Sequence, residues 1–292
     1  MGTRRLVLVT GLAFLVEALV LVWFPVFGVR PRLLPPLAAL VGTEHGPERG
    51  AACGLLGGVF STLAGASPFQ MALLALAGEY GLSIRVLAPE CTLYQYFINS
   101  WNETAREKAL GYFTQAILLT QELGARVMLV NCGGGAKDMS EVQAQQHAVQ
   151  MLKRLGAVAA QHSVTLALKA AAQGESNIAT TLGGVCGLLQ QVAHPNVKAA
   201  LDVCNANASY ETAGDWFEAL GSDIALVQLT DGRPGGHLVW GDGIVPLDDV
   251  LGVLQRNGYD GPLALEVNDW GYYDDPMAAD ARNIAALRGH FA

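Results

Sequence analysis

From about residue 79 to the C-terminal end, short apolar or β-branched runs alternate with longer stretches of amphipathic period. The runs at residues 82–87, 127–130, 165–169, 197–202, 224–229 and 262–267 predict strands. The stretches between and after them predict helices over about residues 100–123, 141–161, 182–192, 216–220, 247–257 and 276–290. Ser100 followed by Glu103 has the spacing of a capping box and marks the first helix start. Strand, helix, strand in regular succession is the pattern of parallel βαβ units. Residues 6–10 and 20–23 supply two further strand candidates, which makes eight, the number that closes a (β/α)8 barrel. The competing class is an open doubly wound sheet, but no G-x-G-x-x-G follows a strand, and Gly133, Gly134 and Gly135 form a lone triplet. The predicted class is therefore an α/β TIM barrel.

The first part of the chain departs from this rhythm. Residues 6–29 read LVLVTGLAFLVEALVLVWFPVFGV, with Glu17 as the one charge, Arg4 and Arg5 before and Arg30 and Arg32 after. About 20 apolar residues suffice to cross a bilayer, so a membrane anchor is one reading. Glu17 at mid-segment argues against it, since burying a carboxylate there costs about 2.5 to 3.5 kcal/mol, as does Pro25, which breaks a simple helix. No small-residue cleavage site follows cleanly, so a signal peptide is not indicated. Residues 41–67 are rich in Gly and Ala without clear period and read as an irregular insertion. The expected organisation is an atypical apolar region at residues 1–74 and a barrel core at residues 75–292, within one structural domain.

Composition narrows the function. Hydrophobic residues make up 51% of the chain and charged residues 15%, which excludes intrinsic disorder and allows a large core. A formal net charge of −8 leaves no electrostatic footprint for nucleic acid or an anionic membrane surface. The 5 cysteines are widely spaced with no Cys-x-x-Cys pair, so neither a disulfide framework nor a structural zinc site is expected. They read as small buried hydrophobes in a reducing, cytoplasmic compartment.

In a parallel barrel the active site lies at the C-terminal ends of the strands. The polar residues at those positions are Glu90, Asn131, Lys169, Asp202, Gln228 and Glu266. Ionisable groups converging on one mouth are costly to desolvate unless they pair or hold a metal. Each also has a plainer reading: Lys169 as a salt-bridge partner of Glu266 or Asp202, and Asp202 as a cap on the loop that follows it. Glu175 and Asp231 sit on loops where a turn role competes with substrate contact. His237 belongs to the Gly-rich run GGHLVWGDG, which suits a mobile loop covering a substrate.

The runs LALKAAAQGESN, HPNVKAALDVCN, IALVQLTDG and GHLVWGDGIVPLDDVLGVLQRNGYDGPLALEVN, in this order, resemble the xylose-isomerase-like sugar isomerases and epimerases. Within them the likeness is nearest to ketose 3-epimerases, including the fructoselysine 3-epimerase type. The runs LAPECTLYQYFIN and SWNETAREKALGYFTQAILLTQELGA support it, and it extends over about residues 75–292. This resemblance implies a divalent ion, Mn2+, Mg2+ or Co2+, held by Glu, Asp, His and Glu at four strand ends, with both glutamates shuttling a proton. It also implies a small sugar substrate and a dimer or tetramer. Carried over by position, the second and fourth ligands are Asp202 and Glu266, whereas Lys169 stands at the first and Gln228 at the third. Glu175 matches a substrate-contacting Glu, Asn205 stands where a His is common, and Arg233 corresponds to an Arg after the seventh strand. Glu90 and His237 complete the expected substrate contacts.

The resemblance implies proton transfer through an enediolate on a ketose or sugar derivative; with the residues of this chain, Glu266 is the expected acid/base, Lys169 an electrostatic stabiliser or second base, and Asp202, Glu266 and Gln228 the altered metal set. A protonated Lys cannot ligate, and an amide oxygen is a weak substitute for imidazole. Two other classes compete: a metal-independent enzyme in which Lys169 forms a Schiff base, and a non-catalytic descendant that binds a sugar-like ligand.

Overall fold

The structure, a computed structural model, describes residues 3–15, 34–46, 49, 52–53, 79–91, 93–134, 139–172, 174–176, 178–234 and 236–290. In chain order the elements are α1 (Thr3–Leu15), α2 (Leu34–His45), β1 (Val86–Leu87), α3 (Glu103–Glu122), β2 (Val127–Asn131) and α4 (Glu141–Gln161). They continue with β3 (Thr165–Lys169), α5 (Leu182–Val192), β4 (Val197–Asp202), α6 (Val203–Ala208), α7 (Ala213–Leu220) and β5 (Ile224–Gln228). The last are β6 (Asp231–Arg233), β7 (Gly236–Leu238), α8 (Leu247–Arg256), β8 (Leu263–Ala264) and α9 (Pro276–Arg288).

The chain divides into two compact units: residues 1–87, 113–128 and 157–164 in one, the remainder in the other. In the first, β1 runs parallel to the start of β2, with Val86 opposite Val127 and Leu87 opposite Met128. A small core joins Leu6 of α1 to Ala38 and Val41 of α2 and to Cys53. Buried Thr10 donates its hydroxyl to the Leu6 carbonyl at 2.8 Å, so its polar side chain is satisfied one turn back.

The expected strand at residues 6–10 is thus a helix. Its leucines and valines run without the alternation of a half-buried strand, and an unbroken apolar run does not distinguish helix from strand. The expected strand at residues 20–23 lies outside the described residues. The expected irregular insertion begins, in fact, with helix: α2 continues to His45. Among the described residues no helix is long and apolar enough to cross a membrane, and most of residues 6–29 lies beyond α1, outside the described residues.

In the second unit the strands form a parallel sheet in the order β2, β3, β4, β5, β8. β3 pairs with β4 from Leu166 opposite Val197 to Lys169 opposite Ala200, and β4 with β5 up to Asp202 opposite Gln228. Residues in the middle of these strands are apolar and fully buried, among them Leu166, Leu168, Ala200, Leu201 and Val227. Burial on both faces explains why the strands read as continuous apolar runs. Buried Leu152, Leu155 and Leu188 of α4 and α5 face inward at helical spacing.

Local signals set the helix ends. Asn102, not Ser100, caps α3 by accepting from Ala105 N at 3.2 Å, while Ser100 Oγ accepts from Asn102 N, so the Ser100/Glu103 box of the sequence reading is replaced by a cap two residues later. Thr181 caps α5, and Thr212 with Asp215 forms a reciprocal capping box on α7. Glu211 joins two of these starts: its carboxylate accepts from Leu182 N at 2.8 Å and from the Trp216 indole at 3.0 Å.

Candidate functional site

Asn131, Lys169, Asp202 and Gln228 are the last residues of β2, β3, β4 and β5, so the sheet itself lines up four polar side chains along one edge. β8 ends at Ala264, and Glu266 follows two residues on, which returns its side chain to the same face by the strand period. Its backbone N–H is held there by the Thr230 hydroxyl at 2.9 Å.

Lys169 is the hub. Its Nζ lies 2.8 Å from Asp202 Oδ2 and 3.1 Å from Glu266 Oε2, so one ammonium bridges the two carboxylates. Asp202 is almost fully buried, and its other oxygen, Oδ1, accepts from Cys204 N and Asn205 N at 3.0 Å each, which also caps α6. His237 Nε2 sits 2.8 Å from the Oδ2 that Lys169 shares. Gln228 donates its amide N–H to Glu266 Oε2. The salt bridges and the cap that the sequence offered as plain readings of Lys169 and Asp202 are both present.

Burial by itself would raise the Asp202 pKa, but Lys169 and then His237 outweigh it and hold the carboxyl well below its usual range. Burial likewise opposes charge on Lys169, and Asp202 followed by Glu266 overcomes it, so the ammonium is held above its ordinary value. For His237, burial pulls down and the hydrogen bond to Asp202 pushes up, with a net rise.

A cavity of about 980 Å³ opens over this cluster. Lys169, Gln228, His237 and Glu266 line it, and so do the predicted substrate contacts Glu90, Glu175, Asn205 and Arg233. Asp202 lies behind Lys169 and His237. Glu175 also closes its own turn, accepting from Ala172 N at 3.3 Å.

The β6–β7 hairpin that carries Arg233 and His237 is organised by Asp231. Buried at 2% exposure, Asp231 accepts from the backbone N–H groups of Gly232, Gly241, Gly243 and Val245 at 2.7 to 2.9 Å. Of the two roles its loop position allows, Asp231 serves the turn. Asn268, which sequence reasoning missed, meets the same hairpin: its Oδ1 accepts from His237 N at 3.3 Å and its N–H reaches His237 O at 3.4 Å. Its spacing of two from Glu266 was the available signal, since alternate residues of an extended segment share a face.

The residues present do not fit a divalent ion at the strand-end position. The ammonium of Lys169 already contacts both carboxylates a metal would need, and Gln228 turns its N–H, not its oxygen, toward Glu266. Asp202, Cys204 and His237 also bring ligand atoms within 4.8 Å of one another. There, burial and the neighbouring Asp202 push the Cys204 thiol up to about 12, and the Asp202 oxygen is the one Lys169 holds. A thiol must lose its proton to ligate, so this triad does not fit a metal either.

Residues 60–289 match the family described as xylose isomerase-like TIM barrel. The chain belongs to that family. Its α/β fold class is accordingly that barrel. The chain is 24% identical to fructoselysine 3-epimerase of Shigella flexneri over 66% of its length and 71% of the relative's. Among solved structures it resembles D-psicose 3-epimerase with D-tagatose from Clostridium cellulolyticum H10, with a TM-score of 0.65 at 20% identity, covering 78% of this chain and 84% of that one. It also resembles the IOLI protein with a bound zinc atom, with a TM-score of 0.58 at 18% identity, covering 72% and 77%. These likenesses establish a sugar epimerase/isomerase-like fold.

Proposed function

We propose that this chain takes a ketose or ketose-derived sugar into the cavity and moves a proton beside its carbonyl through an enediolate. The ammonium of Lys169 stands in the electrostatic role that a divalent ion fills in the family resemblance. The observation that carries this reading is the position of Lys169 Nζ between Asp202 and Glu266. Exchanging a carboxylate for an ammonium shifts the local charge by two, which is the charge a divalent ion would bring. The cluster thus keeps its net charge without one.

The roles follow from the hydrogen bonds. Glu266 Oε2 is engaged by Lys169 and Gln228, which leaves Oε1 to take the proton from the carbon next to the carbonyl and to return it. As that proton leaves, negative charge grows on the carbonyl oxygen, and a preorganised ammonium beside it lowers the cost. Asp202 positions Lys169 and His237. Glu90, Glu175, Asn205, Arg233 and His237 are the substrate contacts. The lysine Schiff-base alternative is disfavoured, because that chemistry needs a neutral amine and both carboxylates hold Lys169 charged.

The test is proton NMR of D-tagatose, D-psicose and D-fructose incubated with the protein in D2O and a chelator. The reading expects solvent deuterium to enter beside the carbonyl, and Glu266→Gln to abolish this. Sugar binding without exchange would establish a non-catalytic sugar-binding protein. Absence of binding would refute the reading altogether.

A further inference from the structure

The apolar N-terminal segment plays no part in the sugar chemistry, and α1 gives its beginning a definite form. One side of α1 is packed: Leu6 joins Ala38 and Val41 of α2 and Cys53, and Thr10, one turn further on, is fully buried. The other side is open. Val7, Leu8, Val9, Leu12 and Leu15 are between 40% and 71% exposed. Leu8, Leu12 and Leu15 follow one another by four and three residues, the spacing that aligns side chains along one helix face. Arg5, also exposed, stands three residues before Leu8 and heads the same stripe. A helix that is apolar on every side belongs in a protein core or in lipid, and a row of large aliphatic side chains facing water marks a surface that a partner covers.

Charge selects the partner. The net charge of −8 is unevenly spread: residues 1–32 hold four arginines against Glu17, a net of +3, so the remaining residues carry −11. Segregation of this kind favours an anionic partner for the basic part of the chain. A second copy joined through the same stripe would meet no acidic residue on α1, whose sequence is TRRLVLVTGLAFL. An anionic lipid surface supplies both things the face lacks, acyl chains for the leucines and phosphates for the arginine. Arginine at the end of an apolar stripe lays its stem along the acyl region and its guanidinium among the headgroups.

We propose that the outer face of α1 attaches the protein to an anionic lipid surface, with Leu8, Leu12 and Leu15 among the acyl chains and Arg5 at the phosphates. The helix lies in the plane of the surface. At 13 residues it falls short of the roughly 20 that cross a bilayer, and Glu17 lies beyond its end, so no carboxylate of α1 has to enter lipid. The face that a free interfacial helix turns to water is here turned to Ala38, Val41 and Cys53.

The test is flotation of the full chain through a density gradient with phosphatidylcholine vesicles, prepared with and without phosphatidylserine. The protein is expected to float with the phosphatidylserine vesicles and to partition at least about fivefold less onto phosphatidylcholine alone. Leu8→Ser with Leu12→Ser should cut partition at least about tenfold, since two leucines then no longer bury their side chains in lipid. Both positions face outward, so the melting temperature of this variant should match the wild type and separate lost attachment from lost fold. Arg5→Gln should shrink the preference for phosphatidylserine, and added salt should do the same. Failure to float with either vesicle would overturn the proposal, as would flotation that the leucine substitutions leave unchanged. Equal partition onto the two vesicle types would take Arg5 out of the contact and overturn the assignment to anionic lipid. A wild type that stays with the solution and dimerises through the same leucines, seen as a change of elution volume in the variant, would give the face to a second copy and overturn it too.

Discussion

Lys169 Nζ lies 2.8 Å from Oδ2 of Asp202, an ion pair in which the carboxylate is almost entirely removed from solvent. A buried pair adds little relative to an apolar replacement of both partners, but removing one partner leaves the other charged and unpaired. Here Asp202 keeps His237 and two backbone N–H groups when the ammonium is removed, so Lys169→Met is expected to destabilise the fold by about 1.5 to 3 kcal/mol, the worth of a hydrogen bond to a charged group. The double replacement Lys169→Met, Asp202→Leu should recover part of that loss. Urea unfolding of the three proteins measures both effects, and a single variant as stable as the wild type would show that the pair is not closed in solution.

Asp231 offers one carboxylate to four backbone N–H groups. Asp231→Ala leaves those donors without their acceptor, at a cost of at least about 2 kcal/mol. Gly243→Ala attacks the same clamp from the other side, because a Cβ there would come within 2.3 Å of Asp231 Oδ1 and 2.5 Å of Gly232 N. Both variants should loosen the hairpin that bears His237, read as faster hydrogen exchange at residues 231–245. Protection equal to wild type would remove Asp231 from its organising role.

Asp242 receives hydrogen bonds from Arg282 and from the Tyr272 hydroxyl, in that order of effect, and its carboxyl is held below its ordinary 3.8. A depressed native pKa means that ionised Asp242 contributes stability above the unfolded value and loses it as pH falls through the native one. The stability difference between wild type and Asp242→Asn should accordingly be constant above about pH 5 and shrink below pH 4. Thermal melts across that range test it, and a difference that grows on acidification would reverse the assigned sign.

Much of the second unit was legible in the sequence because its strands and helices obey different periods. The boundaries of α4, β3, α5 and β4 coincide with those read from hydrophobic pattern, each strand being mainly apolar and closed by a charged residue, Lys169 or Asp202. That closing residue is also why Lys169, Asp202 and Gln228 could be picked out as strand-end groups. The N-terminal region was misread where an unbroken run of leucine and valine carries no period, and α1 stands where a strand was expected. Contacts made by loops were the least visible. Nothing in the spacing of His237 and Asp202, 35 residues apart, says that one ring nitrogen meets the other's carboxylate. The clamp of Asp231 depends on backbone N–H groups, which every residue but proline possesses and which leave no mark in a sequence.

The account turns on the ammonium of Lys169 taking the place of a divalent ion. Elemental analysis of the purified wild type beside the Lys169→Glu, Gln228→His variant tests this most directly. The account predicts a wild type without bound divalent metal, whose sugar binding is indifferent to chelator, and a variant that takes up one ion per chain. Stoichiometric Mn2+, Mg2+, Co2+ or Zn2+ in the wild type, lost together with sugar binding on chelation, would contradict it.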